Sequence, residues 1–153
     1  MTVADRDSLF DPLRRAAWAA RIRSVRADSP RAFGRMDAPR MLAHCRVGLE
    51  VALAERPARR ALLGVFFGWF AKRVALGTRP LPRNLPTGPE FIVRDPRSLE
   101  EERDLLLAAL ERFGSRPPQL GSRPHPFFGA LDADEQDRLQ RRHLDHHLGQ
   151  FGA

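Results

Sequence analysis

Residues 132–150, Asp-Ala-Asp-Glu-Gln-Asp-Arg-Leu-Gln-Arg-Arg-His-Leu-Asp-His-His-Leu-Gly-Gln, read as one long helix that carries most of the chemistry of the chain. Asp132 and Glu135 stand at capping-box spacing, where each side chain satisfies the other residue's free backbone amide. Residues four apart on a helix stand one above the other, so His143 and His147 offer imidazole nitrogens to a common point. His146 lies about 100° around the helix from His147, which turns it toward a neighbouring element or the surroundings of the ligands.

Working outward from this helix, the chain shows no sustained period of two, and helical spacing bounded by caps recurs along it. The expectation is an all-α fold with four long helices. The first is expected from about Leu9 to Val25, with Ser8 and Asp11 at capping-box spacing and Leu9, Leu13, Ala16, Ala17 and Ala20 on one face. A second begins after Asp37 and runs to about Glu55 before Pro57, turning Met41, His44, Cys45, Gly48 and Ala52 inward. In the third, Ser98 and Glu101 form a capping box, Leu99, Leu106, Leu110 and Phe113 repeat at helical spacing, and Gly114 is the expected stop.

Two connections interrupt the series. The apolar segment 61–76 is followed by Gly77, a residue suited to the left-handed conformation just past a helix end. It reads as a short accessory helix packed in the core or over a pocket mouth, because Lys72 and Arg73 leave it well short of the ~20 residues needed to span a bilayer. From Thr78 to Pro96 the prolines at 80, 82, 86, 89 and 96 each fix a backbone angle and remove an amide donor, so a crossover loop is expected. A second loop, Ser115 to Gly129, contains His125-Pro-Phe-Phe-Gly129.

The 153 residues suffice for a single domain covering 1–153, and 42% hydrophobic with 29% charged residues is an ordinary globular composition. A net charge of +7 and a pI near 11.3 invite a nucleic-acid reading. Against it, every basic residue except Lys72 is arginine, the arginines are spread along the chain, and no aromatic residues interleave with them to stack bases. No nucleic-acid partner and no membrane span are expected. One cysteine, Cys45, cannot pair within the chain, and the N-terminal MTVADRDSLF lacks a signal-peptide pattern, so a reducing, cytoplasmic setting is expected.

A pair of histidines is too few for a zinc site, which takes three or more protein ligands. His44, on the apolar side of the second helix, is the candidate third; its alternative is a hydrogen-bonded core histidine. Three neutral imidazoles leave a coordination position open for water or substrate, as in catalytic sites. They suit zinc, nickel or iron. His125 either lines the metal pocket, where it could donate a proton to a leaving group, or serves as a turn residue before Pro126. Gln150, one turn beyond His146 and His147, is placed to orient a ligand through a hydrogen bond or to pack. Cys45 points about 100° away from His44 and reads as a small core residue.

These residues resemble a known family. His44 in Gly34–Cys45 (GRMDAPRMLAHC), the HPFFG loop and the His143–Gly152 ending (HLDHHLGQFG) are similar to the DinB-like metalloenzyme superfamily. The resemblance is strongest to a subgroup with an HPxFG loop and a KHLDHHLxQFG ending, from which this chain departs in carrying Arg142 before His143. It implies an up-down-down-up four-helix bundle, often a homodimer, with a metal on His44, His143 and His147; from the residues themselves, His146, Gln150 and His125 are the further candidates for the pocket around it. Relatives in that superfamily include S-transferases and isomerases that use a low-molecular-weight thiol, and the expectation is a metal-dependent thiol transferase or hydrolase acting on a small molecule. A non-catalytic metal-binding or stress-response bundle is the alternative from a different class.

Overall fold

The computed structural model describes residues 7–59, 62–83, 87–116 and 123–153. Residues 1–6 of the N-terminal stretch, Ala61 at the start of the expected accessory helix, and parts of both long connections lie outside these. The described residues are all-α: α1 (Pro12–Ser24), α2 (Ala38–Ala52), α3 (Leu62–Ala75), α4 (Leu99–Ser115) and α5 (Ala133–Gly149), with one 3-10 turn at Pro89–Phe91. None of the described helices is long and apolar enough to cross a membrane.

Local chemistry accounts for most helix ends. Ser98 with Glu101, and Asp132 with Glu135, form complete capping boxes at the starts of α4 and α5. Asp37 caps α2 through the amide of Arg40. The first helix begins later than Leu9: Asp11, and not Ser8, is its N-cap, accepting from the amides of Leu13 and Arg14. Pro12 explains the shift, since a proline at the first helical position has no amide to satisfy and its fixed φ suits the turn.

Three further expectations are corrected. Helix α2 stops at Ala52, before Glu55, because Ala54 turns left-handed with φ 58°. The amide of Glu55 then donates to the Glu50 carbonyl at 2.9 Å and that of Ala54 to the Val51 carbonyl at 3.0 Å, the paired bonds of a Schellman end. Gly77 is not left-handed; its amide donates to the Val74 carbonyl at 3.3 Å. Gly114 does not end α4 but lies in its last turn, where a Cβ would fall 2.6 Å from the Leu9 carbonyl oxygen and closer still to the Arg15 guanidinium. The glycine there provides clearance for α1.

Helix α2 packs on α4, α5 and the 3-10 turn, and α1 packs on α4. The main core joins Ile22 of α1, Met41, Cys45 and Leu49 of α2, Leu106, Leu110 and Phe113 of α4, and Leu144 and Leu148 of α5. Leu9, just ahead of α1, is buried as expected, but the rest of the expected face is not: Leu13 is 83% exposed and Ala16, Ala17 and Ala20 are exposed too, while Arg15, Ala19 and Ile22 turn inward. Arg15 is held there because its guanidinium donates to the Leu9 carbonyl at 2.7 Å and to Glu111 at 3.0 Å. Helix α3 contributes none of its described side chains to the main core. Its Gly64 and Gly68 abut the backbone of Phe127 so closely that a Cβ would come within 2.8 and 2.6 Å, while Phe66, Phe67, Trp69 and Phe70 face outward.

The reassigned face of α1 gives a direct contrast in urea unfolding. Ile22→Ala should cost about 2–5 kcal/mol through lost burial and a residual cavity, whereas Leu13→Ala should stay within about 0.5 kcal/mol of the parent. At the end of α2, Ala54→Gly should raise stability by about 0.5–1 kcal/mol, because glycine adopts the left-handed conformation without the Cβ clash.

Candidate metal centre

Helix α2 brings His44 to the side facing α5, and α5 brings His143 and His147 one turn apart to meet it. One ligand atom from each of the three lies within 4.8 Å of the others. The ring centroids form a near-equilateral triangle, with separations of 4.8 Å for His44 and His143 and 4.6 Å for each of the other pairs. His44 and His147 are buried, and His143 is half-buried. Three histidines expected to share a site therefore do come together, close enough to hold one metal ion.

The outer nitrogens of two of them are tied to oxygen acceptors. His44 Nδ1 donates to the Phe91 carbonyl at 2.9 Å, and His147 Nδ1 donates to Gln150 Oε1 at 2.9 Å. Carbonyl partners of this kind set the tautomer and the ring angle, leaving Nε2 of each ring to point inward. Gln150 thus has the orienting role that was one of its two readings. The Phe91 carbonyl is supplied by the 3-10 turn inside the proline-rich connection, which delivers a backbone acceptor to the site. Gly48, one turn beyond His44, makes room for His143: a Cβ there would lie 3.2 Å from His143 Cε1.

Burial governs the charge state. Desolvation pushes His147 down to about 3, His143 well below the ordinary histidine range, and His44 down as well, opposed at His44 by its bond to Phe91. The imidazoles of His147 and His143 are lowered further by the neighbouring histidines, which cannot all be charged together. At neutral pH the triad is uncharged, the form in which imidazole donates a lone pair to a metal.

The triad lies at a cleft of about 900 Å³ whose walls include Phe33, Phe91, Phe127 and Phe128, with Arg35, Arg40 and Arg94 also lining it. His146 lines the same cleft, half-buried and edge-on to Phe33 at 5.3 Å and to His147 at 5.0 Å, outside the triad. His125 lies in the cleft lining and in the turn before Phe127. Its Nδ1 accepts from the amides of Phe127 and Phe128 at 3.2 and 3.3 Å, which shapes the HPFFG turn, and its ring stacks on Phe128 at 4.5 Å along the cleft wall. Cys45 is a core residue: its thiol donates to Met41 Sδ at 3.8 Å, and burial pushes its pKa far up.

Two participants escaped the sequence reading. The Phe91 acceptor is backbone, and no residue pattern marks a carbonyl. Gln140, buried beside His143 one turn earlier on α5, carries no signal apart from being a polar residue on the histidine side of the helix.

Fold and site together define an all-α protein with three histidines grouped where they can hold a metal ion. A family model described as "Protein of unknown function (DUF1569)" matches residues 5–153, and the chain belongs to that family. Neither the curated proteins nor the solved structures contain a match.

A pH dependence follows from the depressed histidines. Unfolding returns His125, held down at about 4 by burial, and His147, at about 3, to ordinary values near 6.5. The unfolded chain then binds protons that the folded chain refuses. Stability should be full above about pH 6.5 and fall as pH drops toward 4, on the order of 1 kcal/mol per pH unit for each such histidine. Urea titrations of the metal-free protein at pH 7.5 and about pH 5 should show a lower midpoint at the acid value.

Proposed function

We propose that this chain is a metal-dependent enzyme of the DinB-like superfamily, a four-helix bundle of α1, α2, α4 and α5 with α3 as its accessory helix. In this reading His44, His143 and His147 hold one divalent ion and the cleft above them admits a small molecule. The observation that carries it is the triad of neutral imidazoles, with ligand atoms within 4.8 Å of one another, on a cleft of about 900 Å³. A purely structural site is normally closed by four protein ligands, whereas three leave a position for exchangeable chemistry.

Each part of the chain has a defined task. Phe91 and Gln150 hold the His44 and His147 rings at fixed angles. The aromatic walls exclude water and accept an apolar substrate body, while Arg35 and Arg94 offer guanidinium groups to an anionic end such as a carboxylate. When bound, zinc, nickel or iron would lower the pKa of a water or thiol toward neutrality and so supply a nucleophile. A low-molecular-weight thiol fits such a centre as cosubstrate, and S-transfer to a small electrophile is the reaction class proposed.

Elemental analysis of the purified protein tests the centre. About one ion per chain is expected in the parent, the stoichiometry of a single three-ligand site, with loss of that ion in both His44→Ala and His143→Ala. Retention of the ion in both variants would overturn the assignment. With the ion established, turnover of thiols with model electrophiles should depend on the same two histidines; metal uptake without any such turnover favours a non-catalytic bundle.

A further inference from the structure

The three histidines do not use their nitrogens alike. His44 and His147 each donate from Nδ1 to an oxygen, so a neutral ring leaves each Nε2 a bare lone pair. His143 Nε2 lies 2.9 Å from His44 Nε2. Because His44 Nε2 has no proton to give, His143 Nε2 donates in this contact, and a single proton joins α5 to α2. A neutral imidazole carries one N–H, so His143 Nδ1 is bare.

Beside that nitrogen stands Gln140, only 3% exposed. Its Nε2 donates to the Gly48 carbonyl at 3.4 Å, which identifies the other amide atom as the oxygen, and that Oε1 is buried with no partner among the described residues. A Cβ placed on Gly48 would lie 3.3 Å from His143 Nδ1 and 3.4 Å from Gln140 Oε1, so both groups border the same point. Two acceptors border one spot, and no donor among the described residues pairs with the Gln140 oxygen. Buried acceptors are normally satisfied, and an orphan in a native fold calls for a state that fills it.

We propose that Gln140 is the positioning residue for His143, and that its orphaned Oε1 accepts the Nδ1 proton of His143 when a metal is bound. This rests on the metal reading above. Coordination through His143 Nε2 requires the proton to leave that atom; it is lost to water in the cleft, and a proton from water is taken up at Nδ1 of the same ring. The ring keeps one proton and no charge changes. Each imidazole then donates from Nδ1 to its own oxygen: Phe91 carbonyl, Gln140 Oε1 and Gln150 Oε1.

The test compares the full-length parent with Gln140→Leu, which removes the acceptor, and Gln140→Glu, which restores one. Zinc affinity is measured by chelator competition, and histidine tautomers by 15N NMR of the zinc-free and zinc-loaded proteins. The leucine variant should bind zinc about 10- to 100-fold more weakly, as expected for loss of a ligand's hydrogen-bond partner. The glutamate variant should recover most of the affinity. His143 should carry its proton on Nε2 without zinc and on Nδ1 with it. A merely packing role for Gln140 would shift the unfolding midpoint of the zinc-free leucine variant and leave its zinc affinity unchanged, overturning the proposal. A zinc-free parent with His143 protonated on Nδ1 overturns the proton-sharing arrangement irrespective of metal. Failure of the parent to take up zinc, nickel or iron overturns the metal reading itself.

Discussion

Helix α2 is buried around its whole circumference from Met41 to Leu49, and the organisation of the site depends on that constraint. A helix enclosed on every side has no solvated face on which to place polar side chains, so each one it carries must find a partner inside the protein. Arg46 does so by donating to Glu102 on α4 at 2.9 Å and to Glu50 one turn along at 2.9 Å. His44 does so by donating to the Phe91 carbonyl and accepting from His143. The ion pair and the histidine contact therefore link α2 to both of its neighbouring helices through polar groups as well as through the apolar core.

The same enclosure sets the electrostatics. A histidine in water near neutrality divides its population between two charge states, whereas rings removed from water and set against one another stay neutral. Neutral rings can share a proton at close range, and they present lone pairs to an incoming cation without a prior loss of charge. Site chemistry and helix packing are thus two aspects of one burial event. Clearance is part of it as well. Gly48 leaves the space that His143 and Gln140 occupy, and Gly114 leaves the space for Arg15 and the Leu9 carbonyl.

Agreement between local reading and final structure varies with the range of the forces involved. Capping boxes at Ser98 and Asp132 were legible because both partners lie within four residues of one another, and the buried leucines of α4 because their spacing follows the helix period. The face of α1 was misjudged for the opposite reason. Arg15 is interior only because Leu9 and Glu111 accept from its guanidinium, and Glu111 is far along the chain. With an arginine on the buried side, apolar spacing pointed to Leu13, Ala16, Ala17 and Ala20, all of which are exposed. Ala54 shows the same limit: its left-handed turn is set by the path of the chain after α2, against the preference of the residue.

Spacing within one helix was enough to align His143 with His147, because the α-helical period places residues four apart on one side whatever surrounds them. All-α character and the main helix identities followed from equally local signals. Joining His44 to that pair by geometry required α2 to lie against α5, an arrangement decided by packing across nearly a hundred residues of intervening chain. The Phe91 carbonyl, the orphaned oxygen of Gln140 and the tautomer of each ring belong to the tertiary structure alone. They depend on which atoms face one another after water has been excluded, and no pattern of residue types along the chain records that.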